Sequence, residues 1–409
     1  MDRVPVVFLT IASLTLASLS LADSHDSAVD MMYAPVSGHV FHDRNANGVR
    51  DPGETGVAGV AMSNQREVVR TDASGAFELP SAGPTGILFV SVPDGYAARA
   101  FYRTIDTSAS NRGPIDFALT TLPRPSVVTF VHASDTHIAA PVLARTQRLR
   151  HLVDSISPQF VLITGDLVRD ALRVSEEEAV GYYELFQREV ALIRPPVFTV
   201  PGNHEIFGIE RDKSGVSPTH PLFGRVMYRH YRGPDYYSFT RAGVHFVALN
   251  TVDIDDTRYY GHVDSTQLAW LERDLAAIPP GMPVVTFNHI PFFTAMEVVQ
   301  GLKEAPPAPS IITIGGKNQF RHTVSNAAAV LAAIKGHPYP LALAGHMHAR
   351  ERLRFEGLAT RFDQAAAIVG PSPGPGTMFT SGITVYRITR GQIDDGKFVP
   401  LGLDAAARK

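Results

Sequence analysis

The chain has 409 residues, no cysteine, 37 Lys and Arg against 40 Asp and Glu, and a hydrophobic share of 44%. Without cysteine there is no disulfide framework, thiolate metal site or cysteine nucleophile, so a bound metal must take His, Asp, Asn and Glu donors. A net charge of -3 lacks the cationic excess that binding to nucleic acid phosphates demands, and the length allows two or three domains.

Residues Val4 to Leu21 are apolar or small, follow Arg3 and end in Ser20-Leu21-Ala22, the pattern of a cleaved signal peptide over residues 1–22. Thr10, Ser13, Thr15, Ser18 and Ser20 interrupt the run and argue against a permanent membrane anchor. The expectation is an exported, periplasmic or extracellular protein with no membrane span after cleavage.

From residue 35 to 122, short alternating runs such as Gly38-His39-Val40-Phe41 and Ile87-Leu88-Phe89-Val90 are broken by turn residues, with no helical period. This predicts a small all-β sandwich as an accessory domain. Leu122-Pro123-Arg124-Pro125 then predicts a stiff extended link, because proline fixes its own φ and keeps the preceding residue out of a helix.

After the link, strands alternate with helices, which is α/β organisation. Val127 to Ala133 predicts a buried strand, and Val142, Leu143, Leu149, Leu152, Val153 and Ile156 recur at helical spacing before the strand Phe160 to Ile163. Ser175-Glu176-Glu177-Glu178 is a capping box ahead of the strand Val197 to Val200. Further strands are expected at His245 to Leu249, Val284 to Phe287, Leu341 to Ala344 and Ile383 to Ile388, with helices at Gln267 to Ala277 and Ala327 to Ile334. His132, His151, His245 and Trp270 fall inside these patterns and read as packing residues.

Five short polar motifs each follow an apolar strand: Asp135-Thr136-His137, Gly165-Asp166, Gly202-Asn203-His204-Glu205, Asn288-His289 and Gly345-His346-Met347-His348. The carboxyl ends of strands are where open α/β sheets build their sites. Singly, each motif is more often a turn; five in order call for a common cause. Seven oxygen and imidazole donors exceed what one first-row ion takes, which points to two divalent ions with the two oxygens of Asp166 as the natural bridge. The spacing His346-x-His348, like Asp135-x-His137, would place both side chains on one side of an extended segment.

In this order the motifs resemble the signature of the calcineurin-like metallophosphoesterase superfamily, D-x-H, G-D, G-N-H-[DE], H and G-H-x-H, over about residues 126 to 402. The resemblance implies a metallophosphoesterase β-sandwich flanked by helices, preceded here by the small all-β domain. It implies one metal held by Asp135, His137, Asp166 and His348 and a second held by Asp166, Asn203, His289 and His346. It also implies in-line attack on phosphorus by a hydroxide bridging the ions, with His204 near the leaving oxygen and Glu205 orienting the His204 ring. The purple acid phosphatase branch has a tyrosine ligand where this chain has Arg169, so manganese, zinc, iron or nickel all remain open.

The expected activity is therefore hydrolysis of a small phosphorylated molecule, a phosphomonoester or a phosphodiester. Alternatives are a pyrophosphohydrolase of nucleotide-linked substrates and a surface-binding protein with a vestigial catalytic fold.

In the front domain, Asp43, Asn45, Asn47, Asp51 and Glu54, with the carbonyl of Val49 and a glycine at Gly48, match the ligand positions of a calcium loop and predict a structural calcium. Long insertions at Ile206 to Asp235 and Thr294 to Ser325 have the length of binding loops. In the first, Arg225, Arg229 and Arg232 are candidates for holding a substrate phosphate. In the second, Gly315-Gly316-Lys317 lacks the rest of a phosphate-cradling loop.

Overall fold

The computed structural model describes residues 34–106, 113–303, 309–372 and 376–403. The expected signal segment lies outside the described residues, and none of the described helices is long and apolar enough to cross a membrane.

The front region folds as two four-stranded sheets. One runs in the order Ala76–Leu79, Val36–His42, Phe117–Thr121, Tyr96–Ala98; the other in the order Val68–Arg70, Ala61–Ser63, Ile87–Val90, Tyr102–Thr104. Alternating side chains of these strands, among them Val40, Met62, Phe77, Leu79, Leu88 and Phe117, are buried in its core.

The second region is built on two six-stranded sheets. In the first, Val197–Thr199, Phe160–Ile163 and Val127–Ala133 run parallel, and the long strand Gly382–Thr389 pairs antiparallel with Val127–Ala133. In the second, Tyr237–Arg241 pairs antiparallel with Val244–Ala248, followed in parallel by Val284–Phe287, Leu341–Ala344 and Arg361–Gln364, with Glu351–Arg354 antiparallel at the far edge. Strand side chains alternate between faces, and the inner faces meet in an aromatic layer. Phe130 stacks on Phe160 at 5.1 Å, Phe160 meets Phe246 edge-on at 5.2 Å, and Phe198 stacks on Phe239 at 4.0 Å.

The opposite face of the first sheet, with Val131, Val161 and Ile163, is covered by helices Leu143–Ile156 and Glu176–Ala191 through Leu149, Val153, Tyr183 and Phe186. Ser175 caps the second of these helices by accepting a hydrogen bond from the Glu178 amide at 3.3 Å, and three glutamates in its first turn suit the helix dipole. Helices Ser265–Ala276 and Ala327–Ile334 bury Trp270, Leu271, Val330 and Ile334 in the core of the second sheet.

The proline link does not leave the sandwich hanging free. The Thr240 amide donates to the Val92 carbonyl at 2.8 Å, adding a front-region backbone to the edge strand of the second sheet. Phe89 packs on Trp270 at 6.1 Å, and the Trp270 indole donates to Ser63 at 3.1 Å. Gln65 donates to Asp235 at 3.0 Å and Ser91 bonds Ser238 at 2.8 Å. One apolar core thus runs through both regions.

Both insertions carry more structure than their composition predicts. The first holds helices Arg211–Ser214 and Arg225–Arg232, the second a helix Met296–Gln300 and a hairpin, Ile311–Ile314 with Lys317–Phe320. Gly315 and Gly316 form the turn of that hairpin at φ 54° and 76°, the left-handed pair that a two-residue hairpin needs. His151 is exposed on its helix rather than packed.

Candidate active site

The five strand-end motifs meet. Asp135, His137, Asp166 and His348 present ligand atoms within 4.8 Å of one another, as do Asp166, His289 and His346. Asp166 belongs to both groups: its Oδ2 lies 3.4 Å from His137 Nε2 and its Oδ1 3.2 Å from His289 Nε2. His348 Nε2 lies 3.3 Å from Asp135 Oδ1 and 3.2 Å from His137 Nε2. Asn203 Oδ1 lies 3.2 Å from His289 Nε2, which is 3.1 Å from His346 Nδ1.

The backbone is bent to achieve this. Among the described residues eleven other than glycine have positive φ, and five of them are Asp135, His137, Asp166, His346 and His348. Such conformations cost energy and persist where packing imposes them. His346 and His348 are therefore not two steps along a strand, as their spacing suggested; the left-handed turns send one ring to each donor group. Gly202 and Gly345 leave the room required, since a Cβ on Gly202 would stand 2.2 Å from Asp166 Oδ1 and one on Gly345 1.9 Å from Ser134 Oγ.

Backbone carbonyls set the ring orientations. His289 Nδ1 donates to the Thr164 carbonyl at 2.7 Å, which leaves Nε2 facing Asp166 and Asn203. His204 Nδ1 donates to the Arg169 carbonyl at 2.8 Å, and its Nε2 lies 3.9 Å from Asp166 Oδ2. This corrects the role expected of Glu205. Its Oε1 accepts the amides of Leu167 and Val168 at 2.8 and 3.0 Å, and its Oε2 accepts that of Gly202 at 2.6 Å. Glu205 is fully buried and ties two motif loops together, while the Arg169 carbonyl orients His204.

Charge is concentrated here. Burial pushes the Glu205 carboxyl up to about 8, with the nearby Asp166 adding to it. Burial lowers His137 to about 4 and His346 well below the ordinary imidazole value, which disfavours the charged form of both rings. For His289 burial acts downward, but Asp166 outweighs it and raises the ring to about 9. Two buried carboxylates demand positive charge, from imidazolium protons or from cations. Carboxylate, amide and imidazole donors in two groups sharing one carboxylate fit a pair of first-row divalent ions.

The cavity over the cluster measures about 420 Å³ and is lined also by Arg169, Asp170 and Tyr259. The three arginines expected at the substrate are engaged elsewhere: Arg225 with Asp253 at 2.6 Å, Arg229 with Asp235 at 2.8 Å, and Arg232 over the Phe186 ring at 5.3 Å. None of them lines this cavity, and the exposed cation that does is Arg169.

Sequence reasoning also missed His322. Its Nδ1 lies 2.7 Å from His346 Nε2 with the rings stacked at 5.0 Å, so the second insertion reaches in and braces a motif histidine. Nothing local signals that contact, because His322 belongs to no motif. Arg169 lies three residues after Asp166 and was legible as a neighbour of the site.

In the loop 43–54, Asp43 accepts the amides of Asn47 and Gly48 at 3.2 and 2.8 Å, and Glu54 accepts those of Arg44 and Asp51 at 2.8 and 3.1 Å. Asn45 and Asn47 both donate to Asp51 at 2.8 Å. Asn47 Oδ1 accepts the Val49 amide at 2.7 Å, so the loop closes on its own hydrogen bonds.

Residues 128–350 match the calcineurin-like phosphoesterase family, and residues 44–122 match the N-terminal domain of calcineurin-like phosphoesterases. A probable cyclic nucleotide phosphodiesterase of Rhodopseudomonas palustris is 28% identical over 197 residues, 44% of this chain and 63% of that protein. A 3',5'-cyclic-nucleotide phosphodiesterase of Nostoc sp. is 28% identical over 158 residues, 39% of this chain and 49% of that protein. The chain thus spans about half to two thirds of the length of these relatives. Among solved structures, a dimetal phosphatase from Danio rerio is similar at 15% identity and a TM-score of 0.42, covering 63% of this chain and 92% of its own. A purple acid phosphatase from yellow lupin is similar at 14% identity and a TM-score of 0.42, covering 91% of this chain and 69% of its own. With more than half its length matched, the chain belongs to the calcineurin-like phosphoesterase family.

Proposed function

We propose that the protein is an exported phosphodiesterase that works with two divalent ions. The observation that carries the two-ion reading is Asp166, whose two oxygens face two separate donor groups. The names of the two curated relatives favour a diester over a monoester. Export rests on the residue pattern of Val4 to Ala22.

Asp135, His137, Asp166 and His348 would hold one ion, and Asp166, Asn203, His289 and His346 the other. When bound, such a pair lowers the pKa of a shared water and offsets negative charge on the phosphoryl oxygens. Asn203 contributes an oxygen without adding anionic charge that would repel the substrate. The Arg169 guanidinium, exposed at the cavity wall, meets a phosphoryl oxygen of the entering substrate. His204 has its Nδ1 proton committed to the Arg169 carbonyl, so the proton for the departing alkoxide is delivered from Nε2. Glu205 keeps the loops of Asp166 and Asn203 in register through its three amide contacts.

The assay is hydrolysis of bis-p-nitrophenyl phosphate and of p-nitrophenyl phosphate by protein loaded with manganese or zinc. Turnover of the diester well above the monoester supports the proposal. Preference for the monoester would replace the substrate class, and inertness toward both would overturn the catalytic reading.

A further inference from the structure

The insertion from Thr294 to Ser325 has two unlike sides. Its inner side is polar: Glu297, Gln300, Lys303, Ser310 and His322 line a space of about 240 Å³ together with His346 and His348. Its outer side is apolar. Among the described residues, twelve large hydrophobic side chains are exposed, and seven of them lie at 298–320 or 355–358: Val298, Val299, Leu302, Ile311, Phe320, Phe355 and Leu358. The other five are scattered along the chain, so this concentration calls for an explanation of its own.

The apolar groups are joined by the backbone. The Ser310 amide donates to the Lys303 carbonyl at 2.8 Å, which brings Leu302 beside Ile311. Ile311 is the cross-strand partner of Phe320, and each is about 45% exposed on the same face of the hairpin. Phe320 and Phe355 then line a cleft of about 600 Å³ with Phe292, Phe293, Val324 and Leu353, and no charged side chain lines it. Of its lining rings, Phe293 stands 4.9 Å from Phe355 and packs 5.0 Å from Phe362 behind it.

The cleft and the polar space are lined by neighbouring stretches of the same segment. Thr294 and Ala295 line the cleft, and Glu297 and Gln300, one helical turn on, line the space beside His346. That turn is pinned from beneath by Met296, buried with Met347 and Phe379, so Val298 and Val299 face outward.

We propose that the substrate is an amphiphilic phosphoester: its phosphoryl group sits at His346 and His348, and its hydrocarbon part lies over the collar of Val298, Leu302, Ile311 and Phe320 into the cleft at Phe355. The proposal rests on the phosphoesterase reading of the cavity and names its substrate class. Three features favour a hydrocarbon chain over a second copy of this protein. The cleft is concave and of ligand size. Its Thr294 and Ala295 directly precede the helix Met296–Gln300, whose Glu297 and Gln300 line the space beside His346 and His348. Glu297, Lys303 and the histidines all stand on the head side and no charged side chain lines the cleft, a division of polar from apolar surface that matches a polar head and an apolar tail.

The test uses p-nitrophenyl alkyl phosphodiesters with methyl, butyl, octyl and dodecyl groups, below their micelle concentrations, on the full chain loaded with manganese. Each buried methylene is expected to raise kcat/KM by about three- to fourfold until the cleft is filled. The Phe320→Ser/Phe355→Ser variant should flatten this slope, a ratio between substrates that cancels any uniform change in catalysis. If that variant does not fold, Val298→Ser/Leu302→Ser, at more exposed positions, replaces it. A flat slope in the native protein overturns the proposal. So does a dimer that disappears in the variant, or adsorption to phosphatidylcholine vesicles without chain-length preference. If no diester is hydrolysed at any length, the phosphoesterase reading has failed instead. Calorimetric binding of dodecylphosphonate then decides the collar separately: binding lost in the variant supports it, and no binding to the native protein removes it.

Discussion

Two buried polar regions invite comparison: the seam between the front sandwich and the second sheet, and the cluster at the strand ends. In the seam each charge meets its complement. Asp235 holds Arg229, Gln65 and Asn250 at 2.8, 3.0 and 3.2 Å, and His245 lies between Thr240 and Asp274 at 3.0 and 2.8 Å. At the strand ends, rings face rings: His137 Nε2 stands 3.2 Å from His348 Nε2, and His346 meets both His289 and His322. Buried polarity alone does not mark a site. The seam is self-sufficient and structural, whereas the cluster brings together groups that only added positive charge reconciles, on a backbone bent into left-handed conformations.

That contrast is exposed to test at several residues. Asp166→Ala should have the largest effect, abolishing measurable diester turnover and both bound metals, as read by kinetics and elemental analysis; a variant that kept one metal would break the bridge assignment. His204→Ala should lower kcat by about 10²- to 10⁴-fold while metal content stays native. Loss of metal in step with activity would make His204 a ligand instead.

The seam predicts stability rather than chemistry. Asp235→Ala, which leaves half-buried Arg229 and buried Asn250 without their shared partner, should cost about 1–3 kcal/mol in urea unfolding with the metals of the site unaffected at neutral pH. Burial alone would raise the Asp235 carboxyl, but Arg229 outweighs it and holds the group at about 2. The folded value is thus depressed, so its contribution is present above the ordinary carboxylate range and is lost as pH falls from about 4 toward 2, an amount of about 2 kcal/mol. A stability profile that ignores Asp235→Asn across that window would remove the seam as an acid-labile element. Smaller still, His322→Ala should weaken metal affinity by about 10- to 100-fold, with kcat recovered at saturating metal. Equal affinity in competition with a chelator would mean that the imidazole brace does nothing.

What was legible in the chain follows from how local each feature is. The strand Val127–Ala133 and the turn Asp135-Thr136-His137 are contiguous, and the same holds at Asp166, Asn203, His289 and His346, so an apolar run followed by a donor could be read directly. The orientation of those donors was not legible, because the left-handed φ of His346 and His348 is imposed by packing around Gly345 and Asp135 rather than by residue type. Glu205 was misread for the same reason: two of its three partners are the amides of Leu167 and Val168, more than thirty residues away. Arg225, Arg229 and Arg232 looked like phosphate ligands by composition, and only the folded chain shows Asp253 and Asp235 already answering two of them. The attachment of the sandwich through Val92 and Trp270 was likewise hidden, since both read locally as ordinary core positions.

Asp166 is proposed to join two ions held by these scattered donors. Anomalous X-ray scattering at the manganese edge, from crystals of the full chain grown with manganese, addresses it directly. Two peaks are expected about 3.5–4 Å apart on either side of the Asp166 carboxylate, one beside His137 and His348 and the other beside Asn203, His289 and His346. A single peak, or manganese bound elsewhere with none at Asp166, would contradict it.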